Sequence, residues 1–317
     1  MDSSINQIAS NSASGAAEIL RLAGEVFSQL RGHQSKLSQR SVEEAQQAIF
    51  ETSIALVRSQ PDMSPLLRLA SVAISAARTA TSAQDALKSA EDHALKFIDS
   101  AERAVRTAAL HAANLILPGA TVMTHSRSST VLTALVEAHL SGRFFFVVTT
   151  ESRPGLEGRA LAEALASEDI RVSLIADAAA SLAMDEVDVV LVGADTITQE
   201  VLVNKIGTRM IGLAAREREL PFYAVCDTSK FINGDYSCRP VRDEGRDAGS
   251  VNLLWPDAPA EVVVVNGCFE PTPLTLFTGI ITEDGVLTTE EASRRAELAS
   301  IDKQLSDALA ELRQQIR

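Results

Sequence analysis

Short apolar runs alternate with amphipathic segments from residue 117 onward, and this alternation constrains the fold more than any other feature. The apolar runs read TVMTH, FFFVVTT, VSLIAD, DVVLVGAD, PFYAVCD and EVVVVN, with stretches such as LEGRALAEALASE and KIGTRMIGLAARERE between them. Continuous Val, Ile and Phe favour strands that are buried on both faces, as in a parallel sheet. The pattern predicts a Rossmann-like, doubly wound α/β domain over residues 117–288.

The flanking regions are predicted to be helical. Over residues 1–116, Ala and Leu recur at helical spacing, and breakers are confined to short stretches such as QPDMSP. This predicts an N-terminal helical domain that ends in a long helix over about 83–115. Residues 289–317 predict a C-terminal amphipathic helix with a short apolar seam. This helix is an interaction element, which either forms a coiled coil between two chains or docks on the protein's own surface.

The composition of the chain limits the kinds of partner that we expect it to bind. The chain has 317 residues and a net charge of −13, which argues against direct nucleic-acid binding because phosphate affinity needs clustered Lys and Arg. No apolar stretch is long enough to cross a bilayer, so we expect no membrane partner. The N-terminus lacks the features of a secretory signal. Three cysteines without metal spacing cannot all pair within one chain, which favours a cytoplasmic location.

Polar residues follow the first two apolar runs. Ligands of doubly wound sheets bind outside the carboxyl ends of the strands, so these residues are candidates for a site. Ser128 and Ser129 follow TVMTH at the start of a predicted helix, where free N–H groups attract a phosphate; simple N-capping is the alternative. Arg153 follows FFFVVTT and is suited to grip a phosphate, or else to pair with Glu151 or Glu157.

The fourth run, DVVLVGAD, ends at Asp195 and is followed by Asn204 and Lys205. Asp195 is suited to orient a sugar hydroxyl or to shuttle protons. A neutral donor and an ammonium ahead of a helix complete a phosphate cradle. Together with the serines and arginine above, these residues predict a site for a phosphorylated small molecule, either a sugar phosphate or a nucleotide.

Other kinds of site lack their sequence patterns. There is no G-x-G-x-x-G, no G-x-x-x-x-G-K-[ST] and no G-x-S-x-G. His125 and His139 have no neighbours at metal-ligand spacing, and Cys226 lies in an apolar run where we expect it to be buried and inert. We therefore expect no cofactor and no metal. Arg127, Arg143, Arg153 and Arg159 are candidates for a local positive potential.

Several longer motifs, in order, carry a resemblance to a known family. THSRSSTVL, VVTTESRPGLEGRALAEAL, LIADAAASLAMDEVDVVLVGADTI, VNKIGT and PFYAVCDTSKF resemble the translation initiation factor 2B alpha/beta/delta family. Its superfamily also contains methylthioribose-1-phosphate isomerase and ribose-1,5-bisphosphate isomerase. The resemblance covers roughly residues 110–285. It implies an N-terminal helical domain, a Rossmann-like domain, and assembly as a homodimer or with related family subunits.

The resemblance also carries expectations for individual residues. In the isomerases a Thr-His-Cys loop supplies a cysteine that works with the Asp of Gly-Ala-Asp, converting an aldose 1-phosphate into a ketose phosphate. Asp195 matches that Asp, and Asn204 and Lys205 match the residues that would hold phosphate. Ser126 stands where the cysteine would be, and a hydroxyl is far less acidic than a thiol. Ser14 stands where the isomerases have an arginine, and Gln199-Glu200 replaces their Asn-Gly.

These departures lie at the reacting end, while the anchoring residues are retained. The resemblance therefore implies a regulatory subunit or homologue of the initiation factor 2B type, with a pocket for a sugar phosphate or nucleotide. The alternative is an aldose-1-phosphate isomerase, in which Asp195 and Ser126 would be the catalytic residues. The sequence leaves open which of the two applies, and so whether the protein is an enzyme.

Overall fold

The computed structural model describes residues 2–10, 15–32, 41–236, 255–259, 261–264 and 267–316. These residues fall into two compact units. The first unit contains Met1–Arg103, Ser229–Pro240 and Glu297–Arg317, and the second contains Ala104–Thr228 and Val241–Ala296. The predicted domain limits at 116/117 and 288/289 stay predictions. No helix in the described ranges is both long and apolar enough to span a bilayer.

Helices occupy the N-terminal region, as the Ala and Leu spacing predicts. They are α1 (Asp2–Ser10), α2 (Ala16–Gly32), α3 (Val42–Ser59), α4 (Ser64–Ala77) and the long α5 (Ala83–Ala113), which continues into the second unit. A capping box starts α3: the Glu44 amide donates to Ser41 Oγ at 3.3 Å, and the Ser41 amide donates to Glu44 at 3.0 Å. Pro65 in the first turn of α4 is compatible with a helix start. The apolar faces of these helices share one core.

The described residues of the second unit contain ten strands. They are β1 (Thr121–Thr124), β2 (Phe146–Thr150), β3 (Val172–Ile175), β4 (Val189–Val192), β5 (Thr196–Ile197), β6 (Val201–Lys205), β7 (Phe222–Val225), β8 (Phe269–Pro273), β9 (Gly279–Thr282) and β10 (Gly285–Leu287). Seven of them form one sheet in the order β10-β9-β7-β4-β1-β2-β3. All neighbours in it are parallel except β9 and β10. The strand order reverses at β1, between β2 and β4, as in a doubly wound sheet.

Helices cover this sheet: α6 (Ser129–Leu140), α7 (Glu157–Ser167), the single turn α8 (Ala180–Ala183) and α9 (Thr208–Glu217). The buried faces of α6 and α7 share a core with β1, β2 and β4, in which Leu135, Leu161 and Leu191 are fully buried. The strands β5, β6 and β8 form a small separate antiparallel sheet. The predicted fold class, a helical N-terminal region followed by a mainly parallel Rossmann-like sheet, is confirmed.

The structure differs from the strand prediction in one run and contains one sheet that was not predicted. Residues 261–264 of the run EVVVVN form no strand, and Val263 is 83% exposed; residues 265–266 lie outside the described residues. The valines of this run match the composition of a buried strand, but the described ones, residues 262–264, belong to no strand. The sheet position next to β7 is filled instead by β9, the shorter GIIT run. The small antiparallel sheet was not predicted.

The C-terminal segment contains two helices, α10 (Thr289–Leu298) and α11 (Lys303–Ile316), where the sequence predicts one. The break has a local cause, since Asp302 caps α11 by accepting the amide of Gln304 at 2.9 Å. Leu305 and Leu309 of α11 are buried in a cluster with α3 and α4 residues of the same unit. Of the two alternatives for the seam, docking on the protein's own surface is the one that the structure shows.

Candidate ligand site at the carboxyl edge of the sheet

The loops that follow β1, β2 and β4 lie side by side. These strands are neighbours in the parallel sheet, so their carboxyl ends share one edge. The strand order reverses there, which is where doubly wound sheets bind ligands. The predicted site residues Ser126, Ser128, Arg153 and Asp195 all lie on these three loops.

Gly193, directly after β4, brings two of the predicted residues together. A Cβ atom built on Gly193 would lie 2.7 Å from Cβ and Oγ of Ser128 and 3.9 Å from Oδ1 of Asn204. The backbone after β4 can therefore approach Ser128 only because residue 193 has no side chain. Ser128 Oγ also accepts the Val131 amide at 3.3 Å, so Ser128 is the N-cap of α6. Ser129 is the first residue of that helix and is exposed.

The side chain of His125 links the loop after β1 to the end of β2 and to the turn after β6. It is 1% exposed, and its Nε2 lies 2.7 Å from the carbonyl oxygen of Ile206 after β6. A carbonyl only accepts, so Nε2 carries the proton and Nδ1 accepts from Thr150 Oγ1, 2.5 Å away at the end of β2. Gly207 packs on the ring, because a Cβ there would lie 2.9 Å from Cε1. Both imidazole nitrogens of His125 are therefore engaged.

Burial lowers the pKa of His125, because desolvation disfavours the imidazolium. The hydrogen bond to Ile206 and the negative charges of Asp177 and Glu157 oppose this shift, while Lys205 adds to it. The imidazole is consequently held neutral. Sequence reasoning weighed His125 only as a metal ligand and missed this role.

Ser126 adopts a left-handed backbone conformation with φ of 63°. Its amide donates to Ser152 Oγ at 2.7 Å, which joins the β1 and β2 loops. The amides of Ser152 and Arg153 donate in turn to the two carboxylate oxygens of Asp177, each at 2.7 Å. Asp177, which follows β3, therefore fixes the backbone of the neighbouring loop after β2.

The four arginines that were candidates for a local positive potential have different surroundings. Arg143 donates to the carbonyl of Ala113 at the end of α5, and Arg159 pairs with Glu151 at 3.1 Å. Arg153 is exposed on the β2 loop, and Arg127 is exposed on the β1 loop. Neither of these two has an ion pair within the described part of the chain.

Lys205, the last residue of β6, is buried, and its ammonium has a carboxylate partner. Nζ lies 2.7 Å from Oε1 of Glu157, the first residue of α7, and the two side chains are 5% and 15% exposed. Sequence reasoning treated Glu157 as a pairing candidate for Arg153. The actual pairing was not visible from spacing, because 48 residues separate Lys205 from Glu157.

Asn204 precedes Lys205 on β6, and Asp195 is hydrogen-bonded to the same strand. Asn204 is 6% exposed, and its Nδ2 donates to Thr208 Oγ1 at 3.0 Å. The Asp195 amide donates to the Val203 carbonyl at 2.9 Å, and its side chain is half-buried. The backbone bond holds Asp195 next to β6, which carries Asn204. The ligand-binding roles of Asp195 and Asn204 stay predictions.

The start of α9 is occupied by the chain's own carboxylate. Glu270 on β8 accepts the amides of Gly207 and Arg209, both at 2.8 Å. An acidic group at a helix N-terminus is favourable, so this carboxylate takes the place that an anion would otherwise have there. The start of α6 is therefore the helix terminus at this edge that suits a phosphate.

Cys226 is 1% exposed, as expected for a buried residue of an apolar run. Among the described residues, no group of three or more His, Cys, Asp or Glu side chains is arranged to hold a metal ion. Cys238 lies outside the described residues.

The fold and the edge described above define a Rossmann-like protein with a polar edge at its strand-order reversal. Residues 13–289 match the initiation factor 2 subunit family, IF-2B, and the chain belongs to this family. The resemblance read from the motifs is thereby confirmed.

Two relatives show how the family is divided. A ribose 1,5-bisphosphate isomerase of Archaeoglobus fulgidus is 34% identical over 292 residues, covering 90% of this chain and 89% of the relative. A putative translation initiation factor eIF-2B subunit 2-like protein of Pyrococcus horikoshii is 34% identical over 275 residues, covering 86% and 91%. The crystal structure of the P. horikoshii OT3 translation initiation factor eIF-2B matches with a TM-score of 0.74 and 28% identity, covering 90% of this chain and 96% of that one. Relatives of both names therefore match nearly the whole chain.

Proposed function

We propose that this protein is an initiation factor 2B-type regulatory homologue that binds a phosphorylated small molecule at the carboxyl edge of its sheet and does not isomerise it. The ligand class is a sugar phosphate or a nucleotide. Phosphate binds at the start of α6, through Ser128, Ser129 and the exposed guanidinium of Arg153. Asp195 and Asn204 orient the sugar.

One observation is the main support for the absence of turnover: Ser126 has a hydroxyl, and the imidazole of His125 beside it is not available as a base. A serine nucleophile or acid needs an adjacent base. The neighbouring imidazole of His125 is neutral and uses both nitrogens, one on Thr150 and one on Ile206. A serine in this position has neither the acidity of a thiol nor help from His125.

The binding part of the proposal is supported by the geometry of Gly193. Its backbone approaches Ser128 and Asn204, so groups from two loops and from strand β6 converge at the strand-order reversal. Arg153 adds an exposed guanidinium on the adjacent loop. Donors and a positive charge at one edge are what a phosphorylated sugar requires.

A thermal-shift series tests binding, and a product assay on the same sugars tests turnover. The full chain is screened against ribose 1,5-bisphosphate, methylthioribose 1-phosphate, 5-deoxyribose 1-phosphate and nucleoside monophosphates. A ligand at 100 times its Kd stabilises the fold by about 2.7 kcal/mol. We expect Arg153→Gln to weaken that stabilisation, and Arg159→Gln, which changes a paired arginine nearby, to leave it intact. Steady conversion of any of the three sugars would refute the regulatory proposal.

An isomerase that works without the thiol is the second candidate. It is favoured by the relatives named ribose 1,5-bisphosphate isomerase, one of which is 34% identical over 90% of this chain. In this alternative Asp195 transfers the proton, and Ser126 contributes only a hydrogen bond. Asp195→Asn would then abolish turnover while largely preserving binding. A wild-type protein that is inactive on the whole panel removes this candidate.

We also propose that the protein acts in the cytoplasm as a homodimer or together with related family subunits. The support is family membership, since a neighbouring solved structure is described as a tetrameric eIF2B-beta2-delta2 complex. Light scattering after size-exclusion chromatography measures the mass directly. A value near that of one 33.8 kDa chain at micromolar concentration would contradict self-association.

A further inference from the structure

Lys205 and Glu157 form a buried ion pair at the edge where the proposed ligand binds. Nζ and Oε1 are 2.7 Å apart, with side-chain exposures of 5% and 15%. Oε2 of Glu157 is also buried, and it accepts no hydrogen bond from the described residues. Because a buried ammonium and a buried carboxylate compensate each other, the positive charge of Lys205 is already balanced before a ligand arrives.

Secondary structure fixes the two charges in this arrangement. Lys205 pairs through its backbone with Phe269 in the small sheet, and Glu157 is the first residue of α7. The β2 loop closes over the carboxylate at Gly155, where an added Cβ would lie 2.5 Å from Oε1 and 3.1 Å from Oε2 of Glu157. The carboxylate therefore has little room to swing away from the ammonium.

The pair changes which chemical group fits beside Lys205. A phosphate placed against the Lys205 ammonium would also lie close to the Glu157 carboxylate, and like charges at short range repel strongly where water is scarce. A neutral hydroxyl has no such penalty, because it can accept from the ammonium and donate to the free carboxylate oxygen. The buried acceptor Oε2 is the kind of atom that a sugar hydroxyl satisfies.

We infer that Glu157 makes the Lys205 corner of the site selective for a neutral sugar hydroxyl and against a second phosphate. The ligand is therefore a sugar carrying one phosphate, which is held at the α6 end of the site, and not a bisphosphate. This inference rests on the proposed function, and it adds a specificity-determining residue, Glu157, to the same site.

Calorimetric titration of the full chain with ribose 1-phosphate and ribose 1,5-bisphosphate tests the inference. We expect wild type to bind the bisphosphate no more tightly than the monophosphate. Glu157→Gln keeps the side-chain shape and releases the Lys205 charge, so its preference for the bisphosphate should rise on the order of tenfold. Glu151→Gln is the matched control: it removes a negative charge from the same loop but not from Lys205, and the ratio should not change.

Three results would overturn the inference: a tenfold bisphosphate preference in wild type, an unchanged ratio in Glu157→Gln, or the same gain in Glu151→Gln. If Glu157→Gln does not fold, the double variant Glu157→Gln with Lys205→Gln replaces it. This variant is neutral, like the native pair, and should keep the wild-type ratio. A loss of more than tenfold in monophosphate affinity would mean that the Lys205 ammonium contacts phosphate directly.

Failure of the proposed function gives a different result from failure of this inference. In that case no sugar phosphate binds wild type or variants, and titration with inorganic phosphate then decides the inference alone. We expect phosphate to raise the Tm of Glu157→Gln but not of wild type, and the double variant to lose this response. Equal responses of wild type and Glu157→Gln would refute a counter-ion role for Glu157.

Discussion

The imidazole of His125 and the carbonyl of Ile206 lie 2.7 Å apart, which links the loop after β1 to the turn between β6 and α9. The same ring reaches Thr150 at the end of β2. One neutral side chain thus holds together three segments that carry candidate ligand residues. The geometry of the site depends on that imidazole staying neutral, and this makes it sensitive to pH.

We predict that stability falls as the pH is lowered through the range just below 6.5. Burial lowers the pKa of His125 in the folded protein, whereas in the unfolded chain it has its ordinary value of 6.5. Between these two values the unfolded chain binds one more proton than the folded protein, so acid favours unfolding by up to about 1.4 kcal/mol per pH unit. Urea denaturation from pH 8 to pH 5 should show this slope, and His125→Asn should lack it. Equal slopes in both proteins would contradict the assignment.

Thr150→Val should destabilise the second unit. The hydroxyl of Thr150 donates to Nδ1 of His125 at 2.5 Å, and its removal leaves the buried ring nitrogen with only the longer contact to Ser152 Oγ at 3.4 Å. Such a loss costs about 1–3 kcal/mol. Thr149→Val is the matched control, because Thr149 is equally buried and makes only a 3.4 Å contact to a carbonyl. Chemical denaturation should rank the control closer to wild type, and the reverse order would rule out the proposed network.

Gly193→Ala should lower both stability and ligand affinity. The added Cβ would lie 2.7 Å from Ser128, whose Oγ caps α6, so the strand end or the helix start must shift. Overpacking of this kind costs about 1–3 kcal/mol. Gly32→Ala, in a helix and with no atom within 4 Å of its new methyl, should leave stability within about 1 kcal/mol of wild type. A stable Gly193→Ala protein with unchanged sugar-phosphate affinity would show that Ser128 does not contact the ligand.

The sheet was predictable because its strands carry their own signal. The runs ending at Thr124, Thr150 and Val192 are continuous apolar stretches followed by polar residues, so both the strand and the loop can be read locally. In the run around Val263, which has the same composition, the described residues 262 and 263 are exposed and belong to no strand. The composition of a segment indicates that it suits a buried strand. Distant parts of the chain determine whether a neighbouring strand is present to pair with it.

The candidate site divides in the same way. Residues that follow strands, such as Asp195, could be located from sequence because the carboxyl ends of parallel strands converge. The side-chain pairing could not. Glu270 lies far along the chain from the start of α9 that it caps, and Glu157 lies 48 residues from Lys205. Such contacts depend on the packing of whole elements, and one sequence carries no local pattern for them.

The capping of α11 gives a last prediction, one that concerns the first unit. Asp302 is buried, and its Oδ1 accepts the amide of Gln304, while Oδ2 accepts from Ser75 at 3.0 Å and pairs with Arg78. Asp302→Ala removes the cap and the carboxylate that accepts from the exposed Ser75, for a loss of about 1–2 kcal/mol. Asp302→Asn keeps an oxygen for the cap and loses mainly the ion pair with a half-exposed arginine, which contributes at most about 1 kcal/mol. Circular dichroism melts should therefore place Asp302→Asn between wild type and Asp302→Ala. If both variants lose the same stability, the charge of Asp302 and not its capping geometry holds α11 in place.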